Sequence, residues 1–144
     1  MSINLRLIRE AAAAQIAAGI GRRTTGYAYD NTTITLPAVI IRPGAPYVTY
    51  HETFGDRCLV GIELEIEVVT SSADDVSAAI AMDDMLSPGL ANNSSILEAV
   101  EADPTLGGTV GHCWVSEASA PQPDGEGHMS VSLSLHITAS KSTS

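Results

Sequence analysis

Residues 58–71 read CLVGIELEIEVVTS, and no other stretch constrains the fold as tightly. Val60, Ile62, Leu64, Ile66 and Val68 alternate with Gly61, Glu63, Glu65 and Glu67. A period of two puts the apolar side chains on one face of a strand and the carboxylates on the other. Unpaired carboxylates are expensive to bury. The sheet containing this strand is therefore expected to be one-sided. Helices should cover the apolar face, and the acidic face should meet water, a channel or a basic partner. The pattern recurs near the end of the chain. Met129, Val131, Leu133, Leu135 and Ile137 alternate with Ser130, Ser132, Ser134, His136 and Thr138.

The elements between these two strands follow from local signals. Residues 3–18 predict a first helix with an apolar stripe of Leu5, Ile8, Ala12, Gln15 and Ile16, ended by Gly19 and Gly21. Residues 34–42 predict a strand, with Pro37 near an edge or bulge. Residues 43–46, PGAP, read as a turn into a second strand over 47–54. With residues 58–71, these form an expected antiparallel meander. Ser72 caps a second helix with a buried stripe of Val76, Ala79, Ile80 and Leu86, and Met82 or Met85 on its flank. Ser95 and Glu98 form a capping box for a short helix over 96–102, and residues 103–108 break it. Residues 109–118 pair as a hairpin with the strand at 129–138, across a polar loop at 119–127. Residues 139–144 read as a flexible tail. The expected fold is one α+β domain over residues 1–144, a mainly antiparallel sheet with helices on one face, in the order α-β-β-β-α-α-β-β.

Composition narrows the function. The formal net charge is -10, which disfavours ordinary phosphate-backbone binding. An acidic wall can still let DNA slide past without holding it. No run approaches the roughly 20 apolar residues of a membrane span, and no leader-like apolar core occurs, so the chain reads as cytoplasmic. Cys58 and Cys113 read as reduced packing residues and Trp114 as a core or interface anchor. His51, His112, His128 and His136 show no metal-ligand spacing, and Asp74, Asp75, Asp83 and Asp84 show no calcium-loop spacing, so no metal and no cofactor is expected. No serine, cysteine or lysine stands in a nucleophile motif. The uniform row Glu63, Glu65 and Glu67 is a surface pattern, since an acid/base pair needs two unlike environments. Arg22 and Arg23 follow the first helix and suit its C-terminal dipole or an acidic neighbouring subunit; Arg57 joins them as a candidate interface cation.

Several phrases in order carry a family resemblance: the long alternating strand, Asp83-Asp84-Met85-Leu86, Ile96 to Val100, and Asp103-Pro104-Thr105-Leu106-Gly107-Gly108 leading into a strand. With the first helix and Leu36-Pro37-Ala38-Val39, the chain resembles tail terminator proteins of long-tailed bacteriophages, particularly those of actinobacteria, over residues 3–139. The resemblance implies a non-enzymatic virion protein, assembled in the host cytoplasm. It implies a homo-hexameric ring at the head-proximal end of the tail, touching the tail tube protein and the head completion or connector protein. DNA would pass through the lumen without specific binding. Glu63, Glu65 and Glu67 are then candidate channel-lining residues, with the aspartates as the alternative acidic surface, and Arg22, Arg23 and Arg57 are candidate interface residues. The alternatives are a head–tail connector or stopper protein and, from another class, a small-molecule-binding or hydrolytic enzyme whose site assembles only in three dimensions.

Overall fold

The alternation at residues 58–71 is realised as a 13-residue strand, Arg57–Val69. A computed structural model describes residues 3–20, 24–29, 35–50, 57–70, 80, 83, 85–87, 96–108, 110–120, 122–123 and 129–142. The element order is α1 (Leu5–Ile20), β1 (Thr25–Tyr27), β2 (Ala38–Thr49), β3 (Arg57–Val69), α2 (Ile96–Glu101), β4 (His112–Ala118), β5 (Gln122–Pro123) and β6 (Met129–Ser142). Ile80, Asp83, Met85 and Leu86 are also helical. The strands form one sheet in the order β1-β2-β3-β6-β4, with β5 beside β6. This is the expected α+β class. All pairings are antiparallel except β1 with β2.

The core lies between the even-numbered side chains of β3 and the helices. Ile62, Leu64, Ile66 and Val68 are buried against Ile8, Ile16, Ile96 and Val100. In β6 the buried partners are Val131, Leu133, Leu135 and Ile137, each directly opposite its counterpart on β3. The opposite face is polar through its middle. At one end it turns apolar, where Ala38, Ile40 and Val69 are buried on that side.

Two residues fix α1 to its neighbours. Arg9, 7% exposed, donates from Nε to the Ala28 carbonyl and from a terminal nitrogen to the Ile41 carbonyl, both at 2.7 Å. Its guanidinium also lies 4.0 Å from the centre of the Tyr29 ring. A buried charge is tolerated only when its donors are satisfied in this way. Gln15 donates from Nε2 to the carbonyls of Ala99 (3.0 Å), Val100 (3.3 Å) and Asp103 (2.9 Å). It satisfies acceptors that the end of α2 leaves open, so this expected member of the apolar stripe is instead a helix cap.

Several expectations need correction. The helix runs through Gly19 to Ile20. Gly19 is a contact residue and not a stop, since a Cβ there would overlap the Cβ of Ala99. Residues 43–46 are not a turn. They lie inside β2, which slips register against β3 between Pro43 and Val48. The slip absorbs the missing proline donors. Gly44 sits at the slip because a Cβ would come 2.8 Å from the Glu63 carbonyl oxygen. The first two strands of the expected meander are therefore one strand, β2, which keeps the antiparallel pairing with β3; β1 runs parallel to β2, and β3 pairs onward with β6. Residues 51–54, the end of the expected second strand, lie outside the described residues together with 55–56, as do Ser72, Val76, Ala79, Met82 and Ser95. Ile80, placed in the buried stripe, is 56% exposed, while Met85, placed on its flank, is buried. Residues 139–142 are not a loose tail. They extend β6 and pair with residues 57–60 of β3. Part of the polar loop is also tied down, since Gln122 and Pro123 pair with Ser130 and Met129.

The turn after α2 is held by its own side chains. Asp103 accepts from the Thr105 hydroxyl (2.5 Å), the Gly107 N–H (2.9 Å) and the Thr105 N–H (3.1 Å). These bonds, led by the hydroxyl, lower the Asp103 pKa from its ordinary value. Leu106 adopts a positive φ of 49° with its side chain buried.

Replacing Arg9 with Met removes the donors that two carbonyls depend on, and should cost about 1–3 kcal/mol. Gly19→Val should cost a similar amount, about 1–3 kcal/mol, by overpacking α1 against α2. Urea denaturation should show lower midpoints with unchanged slopes. Unaltered midpoints in both variants would contradict these roles.

Candidate functional site: the polar face of the sheet

The face opposite the helices is built by cross-strand register. Glu63 stands opposite His136, which stands opposite Trp114. One step along, Arg42, Glu65, Ser134 and Glu117 form the next row. Directly opposite residues on one face approach closely enough to interact. The glutamates are accordingly not three bare charges. Glu67 forms an ion pair with Arg42 on the neighbouring strand. Glu63 is 2.5 Å from Nδ1 of His136. Glu65 and Glu117 have no ion pair among the described residues. All three row members sit on the non-core face, as their period requires, and are half-buried.

His136 is held on both ring nitrogens. A carboxylate can only accept, so Nδ1 carries the proton shared with Glu63. In the neutral imidazole Nε2 then accepts from the Ser116 hydroxyl at 2.7 Å. Trp114, expected in a core or interface, is 42% exposed and stacks on His136 with ring centres 5.6 Å apart and planes 22° apart. The His112 ring centre lies 5.8 Å from that of Trp114, with the planes tilted by 32°.

Ser116 owes its position to a bulge. Val115 pairs with Leu135 and Glu117 with Ser134, leaving Ser116 as the extra residue. Alternation would send Ser116 and Glu117 to opposite faces, but the extra residue leaves Glu117 beside Ser134 on the polar side. Next to this cluster lies an open groove of about 680 Å³ whose lining includes Gly44, Glu63, Glu65, Glu117, Ser134 and His136.

The remaining sequence candidates fall elsewhere. Arg22 and Arg23 lie outside the described residues, as do His51, His128, Asp74, Asp75 and Asp84. Arg57 is paired with Ser142 through the backbone, and its side chain and that of Cys58 are not described. Asp83 is exposed. Among the described residues no group of three or more histidine, cysteine, aspartate or glutamate side chains could hold a metal ion. No described helix is long and apolar enough to cross a membrane. Sequence reading missed Ser116 and its contact with His136, because the residues are 20 apart and nothing local marks a bulge. No known protein family and no characterised protein matches the chain.

Cys113 is a free thiol buried on the core side of β4. Desolvation, with a smaller contribution from the charge of Asp103, raises its pKa from 9.0 to about 11. At pH 8 this leaves about a hundred-fold less thiolate than an ordinary cysteine. In a Cys58→Ala background, iodoacetamide should leave Cys113 unmodified in native protein and label it fully in urea. Rapid native labelling would contradict its packing role.

Proposed function

We propose that the protein is a structural subunit of a bacteriophage tail, a terminator that closes into a homo-hexameric ring at the head-proximal end of the tail tube. The tail tube protein and the head completion or connector protein are its partners, and the virion is its destination. The observation that carries this reading is the two-faced sheet. One face is sealed by helices, and the other presents carboxylates in register. The sequence resemblance adds the family, and the formal net charge of -10 per subunit adds the sign of the wall. A ring of such subunits carries a strongly negative lumen, which repels phosphates and lets DNA move without being held. The sheet supports ring closure as well. β4 is a seven-residue edge strand, and open edges in soluble proteins are covered or paired. Contacts between different surfaces of successive copies close into rings.

Within this reading Glu65 and Glu117 are the better lumen candidates. Glu63 and Glu67 already engage His136 and Arg42, so they offer less charge to a neighbour's Arg22, Arg23 or Arg57. Negative-stain electron microscopy of the purified protein, alone and with tail tubes, tests the proposal. Six-fold rings, free or seated on tube ends, are the expected result. Rings should persist in the Glu65→Gln/Glu117→Gln variant, with slower DNA exit from particles carrying it. Monomers under both conditions would overturn the ring, and loss of rings in the variant would reassign those carboxylates to an interface.

A further inference from the structure

We propose that Ser116 is an activated nucleophile that accepts the acyl group of neutral or cationic carboxylic esters, with His136 as its base and Glu63 holding the imidazole. The three side chains come from β4, β6 and β3, and they meet in one line: Ser116 Oγ to His136 Nε2 at 2.7 Å, and His136 Nδ1 to Glu63 at 2.5 Å. A serine hydroxyl is a weak nucleophile until a base takes its proton, and the base works only in the right tautomer. Glu63 selects that tautomer. Trp114 stacked on the ring adds a second restraint on its plane. The bulge at Ser116 is the kind of irregularity that re-aims a side chain beside a site.

Space and charge define the substrate. Ser116 lines a groove of about 190 Å³ with Met85, Leu86, Leu97 and Leu133, giving an acyl group somewhere to sit; the groove of about 680 Å³, which shares Glu117 and Leu133 with it, carries Glu63 and His136. Glu65 and Glu117 on its wall disfavour anionic esters. In the first step Ser116 Oγ bonds to the ester carbonyl carbon as its proton passes to His136 Nε2. The carbon–alkoxide bond breaks, and the leaving alcohol takes that proton. Water then attacks the acyl-serine, giving one proton to Nε2, and the carboxylic acid leaves as Ser116 Oγ recovers its hydrogen. No other reactant is needed. The competing reading is an inert cross-strand network that only stabilises the sheet. The assignment stands apart from the ring proposal, and either can fail without the other.

Diisopropyl fluorophosphate provides the test, since it forms a serine–phosphorus bond with release of fluoride and a proton. Intact mass and peptide mapping should find one adduct, on Ser116, absent in Ser116→Ala. His136→Gln should slow labelling by at least about 100-fold, the low end of general-base catalysis. Glu63→Gln should slow it too, with an unchanged circular dichroism spectrum, and it serves if His136→Gln does not fold. p-Nitrophenyl acetate should release p-nitrophenol with a burst that Ser116→Ala abolishes. No adduct, an adduct that survives Ser116→Ala, or equal labelling of wild type and both relay variants would overturn the proposal.

Discussion

The antiparallel ladder between β3 and β6 is the constraint on which the rest depends. It pairs Arg57 through Val69 with Ser142 through Ser130 without a slip. Because side chains alternate strictly, a shift of one residue would send Ile62, Leu64, Ile66 and Val68 to the polar face and the glutamates into the core. The apolar rows of both strands therefore specify the register jointly. Everything on the outer face inherits it, including the meeting of Glu63 with His136. Irregularity is confined to the flanking strands, at residues 43–48 of β2 and at Ser116 of β4.

Electrostatics on that face are settled in part within the chain. Like charges two positions apart on a strand repel, and the structure answers with Arg42 for Glu67 and His136 for Glu63. Partly exposed ion pairs of this kind contribute little, about 0–1 kcal/mol. Their value here lies in orientation more than in stability. Arg9 is a different case. It is nearly sealed from solvent, so its two short bonds to backbone carbonyls are required for its burial, and they join α1 to β2 and to the segment after β1.

How much of this was legible in the sequence follows from the range of each signal. The strand period at 58–71 and 129–138 is local, and both strands, their faces and their core rows could be read directly. The helix stripe through Ile8, Ala12 and Ile16 was equally plain. Gly19 carries the usual stop signal, and only the position of Ala99 shows that it is a contact. Residues 43–46 look like a turn because two prolines and a glycine dominate locally, while the ladder to β3 holds them in a strand. Residues 139–142 are too polar to predict as a strand, and they become one because β3 extends far enough to pair with them. The Ser116–His136–Glu63 line depends on a bulge and two registers, none of which leaves a local mark. Its members were visible only as a serine, a scattered histidine and one glutamate of a row.

Since both the core and the outer cluster follow from one register, that register is the claim to test first. In a Cys58→Ala/Cys113→Ala background, cysteines at Glu65 and Ser134 are directly opposite and on one face. Cysteines at Glu65 and Leu133 are one residue out of register and point to opposite faces. Mild oxidation should join the first pair, detected by mass before and after reduction, and leave the second as free thiols. Crosslinking of the second pair with none in the first would contradict the ladder and the outer-face cluster built on it.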